Sequence, residues 1–512
     1  MSKVTIDPVS RIEGHLSVSL EVAGGKVTDA RTHGNMYRGF ENILKGRNPA
    51  DAIQLTQRIC GVCPVSHGIA ASRAVESSFG VIPNRNGRLL RNILLASNTI
   101  QSHILHFYHL AALDYVDITS VLQYSGSDAK LQGLKSWVKN EIESKKGKSD
   151  ETVASPFLPR YEGKGFYIQD KELNFTAIAH FVEALDVRIR THRMVTLFGG
   201  RMPHVIGFVP GGLTQVPETE TADAFLKELD LVEAFVNKAL IPDVIAVAQA
   251  YKQEFNEGKF ASFLTYGAYD ETDIPGEKYF LPQGVVQGGA FSPLNPAKIT
   301  EHVRYGRYTS GSRLHPSRGE TQADPNKADA YSWLKAPRYD DKPLEVGPLA
   351  RVMAAYLGGH EAVKSEVDGL LRLFNATPDA LMSTLGRHAA RAVESRLLCK
   401  RLRGWISELE MGKAPRSTYE IPDSGEGVGF AEAARGALGH WITVKDKKIA
   451  NYQCVVPTTW NAGPMDDNGV KGPMEQALIG TPIADEKNPI EAARVIRSFD
   501  PCLACAVHVV RG

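Results

Sequence analysis

Two Cys-x-x-Cys pairs stand at opposite ends of this 512-residue chain. Cys60 and Cys63 lie in Arg58-Ile-Cys-Gly-Val-Cys63, and Cys502 and Cys505 in Asp500-Pro-Cys-Leu-Ala-Cys505. Two residues between sulfurs let one turn present both thiolates to one metal. A local zinc ribbon places its second pair roughly 15–20 residues after the first. Here nearly the whole chain intervenes, so the fold itself must bring its two ends together. Of the six cysteines only Cys399 and Cys454 fall outside the pairs, and so few in so long a chain are no disulfide framework.

A site built from both ends needs a body large enough to enclose it. With 43% apolar and 23% charged residues, the chain has the composition of an ordinary globular protein that can bury a sizeable core. A formal charge of +1 gives no reason to expect nucleic acid or an acidic membrane surface. No apolar run reaches the roughly 18–20 residues of a membrane span, and MSKVTIDPVSRIEGH lacks the apolar core of a signal peptide.

Along the chain the pattern runs strand-rich, then helical, then mixed. Residues 4–6, 15–22 and 26–32 alternate apolar and polar around Gly24-Gly25, which predicts a small antiparallel sheet. Residues 85–116 hold leucine and isoleucine at helical spacing with no proline, which predicts one long buried helix. Residues 173–197 read the same way, and 222–255 too, except that Pro242 should break or kink it. Thr377-Pro378 reads as a cap and first turn for a helix over 379–409. Residues 309–348, polar and rich in glycine and proline, read as a surface excursion, and 441–456 as a hairpin turning at 445–448. The class expected is α+β and predominantly helical. A long central helix bundle carries small peripheral antiparallel sheets, with both termini converging on a buried metal site.

Bare Cys-x-x-Cys pairs fit a structural zinc site, or a redox dithiol. Neither requires Arg58 and Asp500 two residues ahead of the pairs, or His67 and His508 soon after them. Such neighbours orient thiolates and tune their donor strength, and a sulfur-rich site suits nickel, iron or copper as well as zinc. Spacing alone does not choose the metal.

The two cysteine motifs resemble the signatures of the large, catalytic subunit of nickel–iron hydrogenases. The resemblance extends through Arg11-Ile-Glu-Gly-His15, Tyr37-Arg-Gly-Phe-Glu41, His103-Ile-Leu-His-Phe-Tyr-His109, Phe198-Gly-Gly-Arg-Met-Pro-His204, Lys335-Ala-Pro-Arg-Tyr339, Glu345-Val-Gly-Pro-Leu-Ala-Arg351, Ala434-Arg-Gly-Ala-Leu438 and Tyr452-Gln-Cys-Val-Val-Pro-Thr-Thr-Trp-Asn461. It is closest to the selenium-containing subclass, in which selenocysteine stands at the position of Cys502. The resemblance implies one catalytic subunit over residues 1–512 that splits dihydrogen reversibly and heterolytically into two protons and two electrons. It implies that Cys60 and Cys502 bind nickel terminally, that Cys63 and Cys505 bridge nickel to iron, and that the iron carries carbon monoxide and cyanide. Cys502 is then the first base, with Arg435 as the alternative, and Glu13 receives the proton. Arg435 and Thr458 would hydrogen-bond the cyanides, His67 a bridging cysteine, and Asp500 would position Arg435. Glu41, the backbone carbonyl of Cys454 and His508 would hold a separate magnesium or iron.

Departures from the family pattern are Ser102, where many members have aspartate beside the arginine, and Ala434, where proline is common. A third is the tail 509–512 beyond His508, where a maturation protease trims family members. His103, His106 and His109 read as packing and partner contact rather than a metal seat, and Cys399 as core. Two cysteines outside the pairs cannot hold a four-cysteine iron–sulfur cluster, so electrons require an iron–sulfur small subunit. Export with such a partner would place the pair in the periplasm or at a membrane, and a cytoplasmic home is also compatible. A dihydrogen-sensing subunit would share the same site. A thiolate-free relative from respiratory complexes fits poorly with four paired cysteines, and a zinc-stapled interaction protein would hold zinc alone.

Overall fold

A computed structural model describes residues 1–144 and 166–506. Ser2–Ile6, Leu16–Ala23 and Lys26–Gly34 form an antiparallel sheet in sequential order. Leu16, Val18, Leu20 and Val22 bury one face against the core. The turn between the second and third strands is Gly24-Gly25 at φ 59° and 71°, a left-handed pair that glycine adopts without steric cost.

The helical body is centred on Arg85–Ile104, started by Asn84, whose side-chain oxygen accepts the Gly87 N–H at 2.9 Å. Every residue from Asn86 to Ile104 is buried. Its charged members are matched, Arg91 donating to both oxygens of Glu76 at 2.8 and 2.5 Å. This helix packs on Lys171–Gly199 and Thr384–Ser407, and Lys171–Gly199 packs on Thr219–Phe235. The expected bundle of long helices with small sheets is therefore what forms. Among the described residues every sheet has two or three strands, all antiparallel.

Several boundaries differ from expectation for identifiable reasons. The α-helix stops at Ile104 and continues as a π-turn over Leu105–Ala111 and a tighter turn over Ala112–Asp114. Side-chain partners outside the helix, such as the Arg497 carbonyl met by His106 Nε2 at 2.7 Å, act there in place of apolar periodicity. Pro242 does interrupt its helix: Thr219–Phe235 gives way to a π-turn, Val236–Leu240, before Ile241–Ala250 resumes with Pro242 in its first turn. The helix expected from 379 begins instead at Thr384. Pro378–Leu381 is an isolated turn, Thr377 makes no cap bond, and Ser383 Oγ caps Gly386 N at 3.2 Å. Gly386 permits the reversal, since a Cβ there would lie 1.8 Å from the Leu381 carbonyl.

The excursion 309–348 is a surface feature only in its first part. Ala336–Tyr339 is buried and pairs with Ile299–His302, and Arg338, fully buried, donates Nε to Asp466 at 2.8 Å. Hydropathy misjudges such a segment because its charges are paired internally. The late hairpin is Gly436–Lys445 with Lys448–Val455, turned by Asp446 and Lys447 at φ 53° and 57°.

Several strands lie outside those expected from the sequence, Phe263–Asp270 and Tyr279–Gln287 among them, and one matters most for the site. Ser424–Ala433 joins that hairpin as its outer strand and lies directly on the helix Pro64–Phe79. Alternate glycines make the approach possible: a Cβ on Gly425, Gly427 or Gly429 would come within 2.6, 2.1 or 2.0 Å of the carbonyls of Ser78, Ala74 or Ala70. Because that helix starts at Cys63, this contact fixes the height of the first cysteine pair. Gly427→Ala is expected to cost roughly 1–3 kcal/mol by overpacking. Gly133→Ala, on an exposed helical surface with nothing within 4 Å, should stabilise by about 1 kcal/mol. Denaturant midpoints of the two variants test the pair, and an unchanged midpoint for Gly427→Ala would contradict the packing argument.

Candidate metal centre

Cys60 follows the turn Gln57–Ile59 in an extended conformation, and Cys63 sits at the mouth of Pro64–Phe79 with Pro64 in the first turn. A helix N-terminus favours negative charge, so it suits a thiolate. At the far end the helix Ile490–Ser498 delivers the chain to Asp500, whose φ of 57° turns Cys502 inward ahead of the short helix Leu503–Ala506.

The two ends are fastened to each other by backbone. Glu13 and Cys502 form a parallel bridge, in which Glu13 N donates to Pro501 O at 3.3 Å and Leu503 N to Glu13 O at 2.7 Å. Gly14 lets the strands close, since a Cβ there would meet Ala504 N and Leu503 Cβ at 2.8 Å. The guanidinium of Arg38 donates to the carbonyls of both Ile59 and Ala504, one from each end. The outcome is four buried sulfurs whose Sγ atoms all lie within 4.8 Å of one another. Cys60 and Cys502 approach to 3.4 Å, Cys63 and Cys505 to 3.1 Å, Cys502 and Cys505 to 3.0 Å. These separations are far beyond the roughly 2.05 Å of a disulfide, and all four cysteines are free.

Burial pushes the Cys502 and Cys505 thiols well above their ordinary range. Hydrogen bonds from Cys502, Cys505 and Cys63 pull Cys60 well below it, against burial. Left to themselves, four sulfurs so close in a dry interior cannot all ionise. A soft cation among them would remove both penalties, so the donor set fits a thiolate-bound metal.

Around the sulfurs the structure gathers most of the residues named from sequence. Arg435 and Asp500, each 2 % exposed, pair through Nη2 and Oδ1 at 3.0 Å, and Arg435 Nε also donates to the Asp500 carbonyl at 3.1 Å. Burial opposes the charge of Arg435, but Asp500 and the sulfurs of Cys502, Cys63 and Cys60 hold it firmly ionised. Arg435 Nη1 reaches Ser102 Oγ at 3.3 Å, so a neutral hydroxyl accepts at this edge of the guanidinium. Thr458 Oγ1 accepts the Cys502 N–H at 2.9 Å. The Cys502 thiol donates to Glu13 Oε2 at 3.2 Å, and Ala504 N donates to the same oxygen at 2.9 Å. Burial, then the charge of Cys60, raises Glu13 above the usual carboxylate range.

His67 lies one turn beyond Cys63, its ring bonded to His440 at 3.2 Å, and His440 in turn to Tyr452 at 2.8 Å. Glu41 is buried away from the sulfurs, accepting Cys454 N at 2.9 Å on Oε1 and the Thr321 hydroxyl on Oε2. His508 and the tail 509–512 lie outside the described residues. His103 bonds Glu394 at 2.7 Å, His106 the Arg497 carbonyl, and His109 stacks edgewise on Phe181. The three thus diverge and form no metal seat. Cys399 is fully buried, its thiol pushed up by desolvation.

Sequence reasoning missed Arg38, although it stands inside a quoted block, because nothing in its type says which carbonyls it clamps. It also missed what secures Ala434. Arg351, itself paired with Glu394 and Glu432, donates to the carbonyls of Ala433 at 2.9 Å and Ala434 at 3.2 Å.

Comparison with known proteins agrees with this geometry. The family model for nickel-dependent hydrogenase matches residues 38–508, and a HoxL-like model matches residues 3–34. The chain is 40% identical to the periplasmic [NiFeSe] hydrogenase large subunit of Desulfomicrobium baculatum, covering 99% of this chain and 95% of that one. It is 36% identical to the hydrogenase-2 large chain of Escherichia coli K12, covering 99% and 97%. The solved structure of the Ni-Fe-Se hydrogenase from D. vulgaris Hildenborough in the reduced state superposes with a TM-score of 0.87 at 41% identity, covering 99% of this chain and all of that one. The chain therefore belongs to the nickel-dependent hydrogenases, as a large subunit of an oxidoreductase that acts on dihydrogen.

Proposed function

We propose that this chain cleaves dihydrogen reversibly and heterolytically, at a nickel–iron centre held by Cys60 and Cys502 on nickel and by Cys63 and Cys505 between nickel and iron. The iron would carry carbon monoxide and cyanide, and residues 1–512 would act as one catalytic unit. The observation that carries this reading is the Cys502 thiol, which touches the other sulfurs on one side and the Glu13 carboxylate on the other. When bound, the metals supply the electrophile that polarises dihydrogen and accept its two electrons.

The protein's own groups handle the proton. Cys502 Sγ takes it and passes it to Glu13 Oε2 along the existing 3.2 Å hydrogen bond. Burial raises the Glu13 carboxyl and the metal-free Cys502 thiol alike, and a metal on the sulfur would lower the thiol toward the carboxyl, the match that a relay needs. Glu13 cannot swing away freely, because its backbone is bridged to Cys502 and Ala504 N holds its carboxylate. Arg435 and Thr458 would donate to the cyanides. Asp500 occupies one edge of the guanidinium, and Thr458 Oγ1 uses a lone pair on Cys502 N, leaving its O–H to donate. Asp500 keeps Arg435 in place, and His67 supports a bridging cysteine.

Glu41 and the Cys454 carbonyl would hold a separate magnesium or iron together with His508, which lies outside the described residues, and the adjacency of Glu41 and Cys454 supports this reading. Cys399 and Cys454 are the cysteines left outside the four sulfurs, too few for a four-cysteine iron–sulfur cluster, so the electrons leave through an iron–sulfur small subunit. No helix among the described residues is long and apolar enough to cross a membrane. The periplasmic [NiFeSe] hydrogenase relative supports a periplasmic or membrane-associated complex, exported with the small subunit.

Three outcomes follow for the purified complex. Elemental analysis should give one nickel per large subunit with iron in excess of it, because the small subunit's clusters add their own iron, and infrared bands of metal-bound carbon monoxide and cyanide; stoichiometric zinc without such bands would end the reading. Glu13→Gln should keep both metals and the infrared bands yet slow hydrogen–deuterium exchange by at least about a hundredfold. Exchange at the unaltered rate would remove Glu13 from the path. Arg435→Lys keeps the charge but loses the planar fork, and its turnover should fall roughly 10²–10³-fold at unchanged nickel content.

A further inference from the structure

Asp114 and the arginines around it touch none of the sulfurs, yet they grip both segments that meet at Cys502. Asp114 is fully buried at the end of the helical run from Arg85. Its Oδ1 receives Arg11 Nη2, and its two oxygens receive Arg497 Nη1 at 2.7 and 2.9 Å. Arg497 also donates Nε to the Ser10 carbonyl at 3.0 Å and Nη2 to Ser10 Oγ at 3.1 Å. Ser10 and Arg11 stand just before Glu13, and Arg497 belongs to the helix that leads into Cys502.

Arg11 has a left-handed backbone, φ 56°. A residue with a side chain keeps that conformation only where its surroundings over-determine it. Two anchors do so here: Asp114 on Nη2, and the Leu110 carbonyl on Nη1 at 3.0 Å. The turn they hold sends Glu13 back along the C-terminal motif, where its carboxylate meets Cys502 Sγ. A shift of roughly 1 Å in a reacting pair can cost on the order of a hundredfold in rate, so such a turn bears directly on proton transfer.

We propose that Arg11 and Asp114 are positioning residues for the reaction, clamping the left-handed turn so that the Glu13 carboxylate stays on Cys502. The inference rests on the reading of Glu13 as proton acceptor. A purely structural role would show itself as lost folding or lost metal; a positioning role should slow the proton step in fully loaded enzyme.

The test uses the assembled, metal-loaded complex. Arg11→Ala leaves the doubly bonded Asp114–Arg497 pair intact and is the tolerant variant, whereas Asp114→Asn weakens both arginine contacts. Arg11→Ala should keep its nickel, its iron and the positions of its infrared bands. Its hydrogen–deuterium exchange should fall at least tenfold, with kcat lowered, KM for dihydrogen unchanged and a larger solvent deuterium isotope effect on kcat. Asp114→Asn should show the same signature per nickel bound, and Arg11→Lys should recover part of the rate. Exchange within twofold of the unaltered enzyme in Arg11→Ala, while Glu13→Gln has lost it, would overturn the positioning role alone. So would a fall in exchange matched by an equal fall in nickel. Normal exchange in Glu13→Gln would overturn the relay reading beneath it, and this inference with it.

Discussion

The structure depends on keeping four sulfurs from the two ends of the chain together in a dry interior. Cys60 and Cys502 are 442 positions apart, and closing so long a loop costs about 6 kcal/mol in chain entropy. No single contact offsets that. Closure is spread over the Glu13–Cys502 backbone bridge and the Thr458 bond to Cys502 N, worth about 1 kcal/mol net per hydrogen bond, over the Arg38 clamp, whose charged donor is worth roughly 1.5–3 kcal/mol per bond, and over the apolar core. One contiguous cluster of that core includes Val4 near one end of the chain and Ala506 near the other. The sulfur cluster is thus an outcome of the whole fold, and the metal that neutralises it adds to a framework already drawn together.

A second constraint follows from the first. Charges close to the sulfurs must also be buried, and most meet an opposite charge, while Arg391 has the carbonyls of Arg387 and Ser498 instead. Arg435 has Asp500, Arg351 has Glu394 and Glu432, and Arg387 has Glu345. Buried ion pairs are weak evidence for stability, because desolvation consumes most of the attraction. What they supply here is geometry: a guanidinium with two or three fixed acceptors has one orientation. Asp500 shows the arrangement at its tightest, since its side chain and its carbonyl both engage Arg435 while its left-handed backbone turns the chain toward Cys502.

What could be read from the sequence followed from how local the signal was. The Gly24-Gly25 turn, the long apolar helix from Arg85 and the interruption at Pro242 are decided by neighbours within a few residues, and all three appear. The start of the helix at Thr384 was misplaced because Thr377-Pro378 is a good cap signal that tertiary packing overrode. Ser424–Ala433 went unseen because its glycines lower strand propensity while serving a close approach to a helix 350 or so residues earlier, which no window of sequence contains. The site shows the same division. Cysteines announce themselves by chemistry and spacing. Arg38, Arg351 and Asp114 do not, since their value lies in which carbonyl or carboxylate the fold brings to them.

The two departures around Arg435 show how such a site tolerates change. Proline before the arginine would restrict the backbone through the unfolded state, an effect of about 0.4–1 kcal/mol. Ala434 forgoes that, but Arg351 bonds the carbonyls of Ala433 and Ala434, and hydrogen bonds from a charged donor are worth roughly 1.5–3 kcal/mol. The larger effect is the one retained. Ser102 offers the guanidinium a neutral acceptor where a carboxylate would add charge, which leaves Asp500 as the anion paired with Arg435. The arginine's place is therefore fixed by Asp500 and by the Arg351-anchored backbone. The residue at 102 is left to tune how strongly its positive charge is felt at the sulfurs.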